Sequence, residues 1–113
     1  MTRSVTFAAT QLAISWDLDD NLRKAEDAVR EAHAAGAQVI LLQELFATPY
    51  FCKTQQYHYL DLAAPLAGNP LVERFSRLAA ELEVVLPLSY YERDTNTFFN
   101  SLVMIDADGT VLD

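Results

Sequence analysis

The chain has 113 residues, of which 51% are hydrophobic and 21% are charged, a balance that is typical of a folded domain and excludes wholesale disorder. Sixteen acidic residues against eight basic ones give a net charge of −8, which argues against binding to nucleic-acid phosphates or to anionic membranes. No transmembrane stretch or signal peptide is evident from Met1 onward, and the single cysteine, Cys52, cannot form an internal disulfide, so a cytoplasmic protein is expected.

The first part of the chain predicts a strand, a helix and a second strand. Apolar residues alternate over residues 4–10, as in a half-buried strand. The acidic segment 17–21 predicts a helix start, and apolar residues then recur at three- and four-residue spacing as far as Ala32, before Gly36 provides a C-cap. Residues 38–42, which are continuously apolar after Gln38, predict a strand buried on both faces. This order predicts two parallel strands joined by a right-handed crossover.

The second part of the chain predicts a helix followed by antiparallel strands. Residues 45–65 are irregular and rich in aromatic side chains, and they predict a loop with short helical turns. Asn69 and Pro70 predict the start of the second helix. Strands are predicted over residues 84–91 and 98–105, antiparallel because the polar connection between them is too short for a crossover. A tight turn over residues 106–109 is followed by the start of one more predicted strand. The sequence therefore stops in the middle of a predicted hairpin.

Glu44 is the most suggestive residue for chemistry, because it comes directly after the second predicted parallel strand. Ligand sites in open parallel sheets gather at the carboxyl ends of strands. Leu45 and Phe46 flank this glutamate and are expected to remove it partly from water, which would suit a general base. A solvated or ion-paired loop carboxylate is the alternative, since structural ion pairs also place glutamates at strand ends.

The other reactive side chains favour packing roles. Cys52 has only Lys53 and His58 near it in sequence, so a small packed hydrophobe is a simpler interpretation than a nucleophile. His33 is predicted on the surface of the first helix and His58 among packed aromatic residues, and the two offer no metal-binding spacing. Asn100 is predicted to be buried and to bridge backbone groups of neighbouring loops, with direct substrate contact as the alternative.

Taken together, the ordered motifs resemble the N-terminal part of the nitrilase superfamily of carbon–nitrogen hydrolases. The matching segments are VTFAATQ at 5–11, NL at 21–22, GAQVILLQELF at 36–46, SYYER at 89–93 and FNSLVMIDADG at 99–109. Within the superfamily, residues 50–52 and the stretch SYYE at 89–92 look most like the amidohydrolases that convert N-carbamoylputrescine to putrescine, carbon dioxide and ammonia.

The resemblance implies an α/β fold, the four-layer α-β-β-α sandwich, with residues 1–113 as the N-terminal portion of a single domain. It also implies a Glu-Lys-Cys catalytic set that needs no metal and no other cofactor. The glutamate matches Glu44 as general base, and Tyr50 would face the substrate, a small carbamoyl or amide compound. The lysine and the nucleophilic cysteine would lie beyond Asp113, so this chain alone is expected to be inactive. The family further implies a homo-oligomer that forms through the helical layers.

Three interpretations follow from these observations. The first is an amidohydrolase of which this chain is the N-terminal portion. The second is a truncated, non-catalytic homologue or small-molecule binding module that keeps the wall of the pocket around Glu44. The third, independent of any resemblance, is a small doubly wound ligand-binding domain, but that fold predicts only parallel strands and conflicts with the short connection at 93–97.

Overall fold

The structure, a computed structural model, describes residues 2–54 and 56–112. Expectations that rest on Met1 or Asp113 lie outside the described residues. None of the helices in the described ranges is long and apolar enough to cross a lipid bilayer. The elements in chain order are β1 (Phe7–Ala9), α1 (Leu18–Ala34), β2 (Val39–Leu41), two 3₁₀ turns (Phe51–Lys53 and Tyr57–Leu62), α2 (Pro70–Leu82), β3 (Leu86–Asp94), β4 (Thr97–Ile105) and β5 (Val111–Leu112).

The predicted strand–helix–strand unit is confirmed. Strands β1 and β2 pair in parallel, with Ala8 opposite Ile40, although each strand is shorter than the sequence pattern predicts. Helix α1 begins after Asp17, whose side chain accepts a hydrogen bond from the backbone N–H of Asp20 and so caps the first turn. The helix is followed by Gly36 at φ 100°, the left-handed conformation that was expected of a C-cap glycine.

The antiparallel pairing of the later strands is also confirmed, with different boundaries. Strand β3 starts two residues later than predicted and continues to Asp94, because the polar segment that was expected to be a loop pairs with β4. Only Thr95 and Asn96 remain in the turn, and Thr95 has a φ of 57°. Strand β5 pairs antiparallel with β4, as expected from the turn before it.

The two sheets are joined around Val85. The N–H of Ile40 donates to the carbonyl of Val85 at 3.0 Å, and the N–H of Val85 donates to the carbonyl of Gln38 at 2.9 Å. Strand β2 therefore lies next to the start of β3, and the parallel pair and the antiparallel ribbon form one mixed surface. This arrangement brings the carboxyl end of β2 close to the middle of β3 and β4.

Both helices cover one face of this surface and leave the other face open. Helix α1 contacts α2, and the ion pair between Arg74 and Glu26 links them at 2.9 Å. Each strand alternates between core residues and residues on the opposite side. The core is built from Leu22, Ala25, Val29, Ile40, Val72, Phe75, Leu78, Ala79, Leu86, Leu88, Tyr90, Val103 and Ile105. The open face carries Phe7, Leu41, Leu102, Met104 and Leu112, all of which are exposed.

This architecture is one helical layer on one sheet layer, which corresponds to half of the α-β-β-α sandwich expected for the whole domain. A soluble domain rarely leaves such a row of large apolar side chains in water. In a sandwich of this type, a second sheet covers the corresponding face. The open face is therefore the side on which the second sheet is expected to pack.

Candidate functional site

Glu44 begins a tight turn over residues 44–47, directly after β2. Its side chain is exposed, so the expectation that Leu45 and Phe46 would partly desolvate it is wrong. Those two side chains point into the core, where Leu45 is 4% and Phe46 is 1% exposed, and they leave the carboxylate on the open side of the sheet. The glutamate thus lies where the resemblance expects a catalytic group, in contact with solvent.

The partner of Glu44 is Asn100. The side-chain Nδ2 of Asn100 donates a hydrogen bond to Oε1 of Glu44. Asn100 lies in β4 opposite Tyr91 of β3, and its side chain is exposed. The prediction of a buried asparagine that bridges backbone groups is therefore wrong, because the alternation along β4 places position 100 on the open face together with Leu102. An amide donor at this position fixes one oxygen of the carboxylate and leaves the other available.

The residue after Glu44 has an unusual backbone. Leu45 adopts a φ of 49°, a left-handed conformation that is strained for a large side chain. Its N–H donates to the hydroxyl oxygen of Ser89 at 2.9 Å, in a buried contact between the turn and β3. The hydroxyl satisfies an N–H that the tight turn cannot pair locally, and it holds the backbone that carries Glu44 in place.

Two further amide side chains hold the ends of this turn. Gln43 pairs with the backbone of Leu12 in both directions, accepting from its N–H at 2.6 Å and donating to its carbonyl at 3.2 Å. The fully buried Asn21 donates to the carbonyls of Ser15 at 2.6 Å and Ala47 at 2.8 Å, and it accepts from the N–H of Ser15 at 3.0 Å. The turn is therefore fixed before, within and after the position of Glu44.

Tyr50 lies in the electrostatic field of the same carboxylate. The negative charge of Glu44 is the main reason that the pKa of the Tyr50 phenol lies above its ordinary value, and the neighbouring Cys52 adds to the shift. Tyr50 is 44% exposed. Its hydroxyl therefore stays protonated at neutral pH and can donate a hydrogen bond to a group bound beside Glu44.

Next to Tyr50 lies a cavity of about 360 Å³ that we call the aromatic pocket. Cys52 is exposed on its wall, so the interpretation of this residue as a small packed hydrophobe is wrong. His58 is exposed with its ring 4.3 Å from that of Tyr59, and His33 is exposed on α1 as predicted. The pocket is lined by Phe51, Cys52, Gln56, Tyr57, Tyr59, Leu60 and Tyr91.

A second cavity of about 400 Å³ lies behind the turn, between the N-terminal ends of both helices and β3. Leu45 and Ser89 line it, whereas the carboxylate of Glu44 does not. Arg74 at its margin is held by Glu26 through Nε and Nη2 at 3.0 and 2.9 Å. Within residues 2–54 and 56–112, no three His, Cys, Asp or Glu side chains converge to hold a metal ion.

Sequence reasoning missed the residues that hold Glu44. Ser89 carried a signal, because it is a small polar residue among the apolar and aromatic residues from Leu86 to Tyr90. Asn21 carried a weaker one as a polar residue beside Leu22 on the buried side of α1. Gln43 carried no signal in the sequence, since an amide side chain directly after a strand is common. What these residues share is a distant backbone partner, which a local pattern does not reveal.

Comparison with known proteins identifies the family. Residues 6–113 match the carbon–nitrogen hydrolase family. The chain is 46% identical over 108 residues to an N-carbamoylputrescine amidase from Oryza sativa subsp. japonica, covering 96% of this chain and 36% of that protein. It is 39% identical over 109 residues to a citrullinase from Francisella tularensis, covering 96% of this chain and 38% of that protein. The chain thus spans little more than a third of the length of these relatives.

Solved structures agree in fold. A carbon–nitrogen hydrolase from Helicobacter pylori G27 superposes with a TM-score of 0.83 at 25% identity, over 94% of this chain and 37% of that one. Saccharomyces cerevisiae Nit3, a member of branch 10 of the nitrilase superfamily, superposes with a TM-score of 0.79 at 22% identity, over 96% of this chain and 42% of that one. The family match shows that the chain belongs to the carbon–nitrogen hydrolase family, and these structures share its fold.

Proposed function

We propose that Glu44 is the general base of a carbon–nitrogen hydrolase, and that the protein containing this chain hydrolyses N-carbamoylputrescine to putrescine, carbon dioxide and ammonia. The observation that carries the proposal is the fixed position of Glu44 at the carboxyl end of β2, with one carboxylate oxygen bound by Asn100. The names of the relatives that are 44–46% identical across the chain support this choice of substrate.

Glu44 would act by moving protons. Its free oxygen would take the proton of a nucleophilic thiol, which then attacks the carbamoyl carbon, and would return a proton to the departing nitrogen. The hydrogen bond from Asn100 holds the carboxylate in one orientation for both transfers. Tyr50, with a protonated phenol beside Glu44, would donate a hydrogen bond to the substrate.

The chain would supply only part of the catalytic set. The family's lysine and nucleophilic cysteine are expected in the sequence that follows this segment, so residues 1–113 would be the N-terminal portion of one domain without turnover of their own. The proposal also includes a small-molecule substrate, no metal or other cofactor, a cytoplasmic location and a homo-oligomer. The mass of the purified whole protein in solution would test the last point.

The test is ammonia release by the whole protein that contains this chain. N-carbamoylputrescine should be turned over faster than citrulline or an ω-amide, the substrate types named for other relatives. Glu44→Gln should lower kcat by roughly 10² to 10⁴, because it removes the proton acceptor while keeping the shape. Glu73→Gln, an exposed change on α2, is the matched control. Full turnover by the Glu44→Gln variant would remove Glu44 from catalysis.

Ammonia release also separates the proposal from the non-catalytic alternative. Whole protein that binds N-carbamoylputrescine but releases no ammonia would be a binding module. Turnover of citrulline in preference to N-carbamoylputrescine would keep the reaction class and change the substrate.

A further inference from the structure

The cavity behind the turn lies on the helical side of the sheet, away from the open face. Leu18 and Leu22 of α1 and Leu71 of α2 line it, together with the buried residues Leu45 and Ser89. Its volume of about 400 Å³ is within the range of ~300–1,000 Å³ that is usual for small-molecule pockets. Because the helices already cover this side, a second sheet on the open face would not fill the cavity.

The cavity combines an apolar lining with two positive charges. In the part of the chain that the structure describes, the charged side chains that line it are Arg74 and Arg77, and no carboxylate does. Glu26 binds Arg74 and partly balances its charge. An ammonium group in the cavity would meet like charges, whereas an anion would meet opposite ones. The lining therefore favours a ligand with an apolar body and a negative group.

Arg77 is the cation that is free to bind such a group. Its spacing along α2 would allow an ion pair with Glu81, but Glu81 is bound by Arg30 of α1 instead. No carboxylate of the described residues lies within ion-pair distance of Arg77. The side chain is exposed as well as lining the cavity, so it lies where the cavity meets solvent. A guanidinium group in this position can bind a carboxylate through two parallel N–H groups.

The start of α2 does not provide the anion site. The side chain of Asn69 already accepts hydrogen bonds from the N–H groups of Leu71 and Val72, at 3.0 and 3.4 Å. These N–H groups are therefore not available to a ligand, and the binding of an anion would depend on Arg77.

We infer that this cavity binds a monocarboxylate with a straight apolar chain. The chain would lie along the leucine side chains, and the carboxylate would accept hydrogen bonds from Arg77. The site is separate from Glu44, whose carboxylate does not line the cavity. It shares Leu45 and Ser89 with the turn that carries Glu44, so the ligand would pack behind this turn without competing for the space beside the carboxylate.

Calorimetric titration of the whole protein that contains this chain tests the class of ligand. Octanoate should bind saturably, and octanol should bind about tenfold more weakly because it lacks the charge. Octylamine, with the opposite charge, and acetate, without the chain, should show no binding at the same concentrations. Failure of octanoate to bind would overturn the inference, as would octanol, octylamine or acetate binding as tightly as octanoate.

Variants of two residues test the position of the ligand. Arg77→Gln removes the charge and should weaken octanoate binding about tenfold, while unchanged octanol binding shows that the cavity is intact. Arg3→Gln is the matched control, since Arg3 is exposed and does not line the cavity. Leu71→Trp places a larger side chain in the cavity and should weaken the binding of both compounds. Octanoate binding that is unchanged in Arg77→Gln or in Leu71→Trp would overturn the inference.

Turnover by the whole protein separates this site from the reacting position. At saturating octanoate, KM for N-carbamoylputrescine should stay within about twofold of its value without octanoate, because the ligand does not occupy the space beside Glu44. A KM that rises in proportion to the octanoate concentration would place octanoate at the reacting position and overturn the inference. Octanoate binding by a protein that releases no ammonia would overturn only the proposed function.

Discussion

Asn100 and Glu44 are 56 positions apart in the chain, yet the side-chain amide of Asn100 is the hydrogen-bond donor to Glu44 Oε1. The contact crosses from the carboxyl end of a parallel strand to the middle of an antiparallel one. It gives the candidate base a defined orientation in an otherwise exposed position, and it makes Asn100 a positioning residue.

Replacement of Asn100 by Asp should disturb Glu44 through repulsion between two carboxylates. We expect Asn100→Asp to lower kcat of the whole protein about tenfold or more, with a change in the free energy of unfolding below ~1 kcal/mol because both groups are exposed. The control is Asn96→Asp, the same chemical change in the turn between β3 and β4. Equal kcat values for the two variants would argue against a positioning role for Asn100.

The contact between Ser89 and Leu45 predicts a difference between two serine substitutions. Ser89→Ala leaves the buried N–H of Leu45 without an acceptor and should lower the free energy of unfolding by about 1–3 kcal/mol. The matched control is Ser76→Ala in α2: the buried Oγ of Ser76 has no hydrogen-bond partner among the described residues, and alanine favours a helix. Urea unfolding should find Ser76→Ala neutral or stabilising, and equal losses in both variants would contradict this assignment.

Glu83 offers a stabilising substitution. It ends α2 in the left-handed conformation, with φ 55° and ψ 48°, and its negative charge lies at the unfavourable end of the helix dipole. Glu83→Gly should raise the free energy of unfolding by about 0.5–1 kcal/mol, because glycine adopts this conformation without strain. Glu83→Ala removes the charge and keeps the strain, so thermal unfolding should find it less stable than Glu83→Gly.

The ion pairs between the helices predict a pH dependence. Burial alone would raise the pKa of Glu26, but hydrogen bonds from Arg74 and Arg30 outweigh it and hold the pKa below its ordinary value of 4.5. A lowered pKa in the folded state stabilises the fold above the unfolded pKa, and this contribution is lost as the pH falls through the folded value.

Glu26→Gln should therefore be less stable than the parent by up to ~1 kcal/mol at pH 7, and the difference should shrink as the pH falls from 4.5 to 3. Urea unfolding at both pH values measures it. Glu31→Gln on the same helix is the control, since Glu31 forms no ion pair within residues 2–54 and 56–112. A gap between parent and Glu26→Gln that is as large at pH 3 as at pH 7 would show that charge is not its cause.

Local signals in the sequence predict the order and direction of the elements. The caps at Asp17 and Asn69, the glycine at 36 and the short connection after β3 each act within a few residues, so they can be recognised without the fold. The end of β3 is harder to predict from the sequence. Residues 92–94 are polar, as in a loop, yet Asp94 pairs with Thr97 of β4.

The candidate site was only partly predictable. The position of Glu44 follows from the strand that precedes it, but its exposure depends on which way Leu45 and Phe46 turn, and that depends on the strained φ at Leu45. The role of Asn100 depends on the β3–β4 register and on the lateral contact between β2 and β3. These are long-range relationships that a single sequence does not encode in any local pattern.

The two-residue turn at Thr95 and Asn96 has a consequence for how the molecule folds. A connection this short closes with little loss of chain entropy, so the nine residue pairs of β3 and β4 can form early and independently of β1 and β2. The parallel strands must wait for α1 to cross over, and only then can the end of β2 reach the ribbon. Glu44 would meet Asn100 in the last step, so nascent or partly folded chains would display a complete hairpin before any of them displayed an ordered carboxylate.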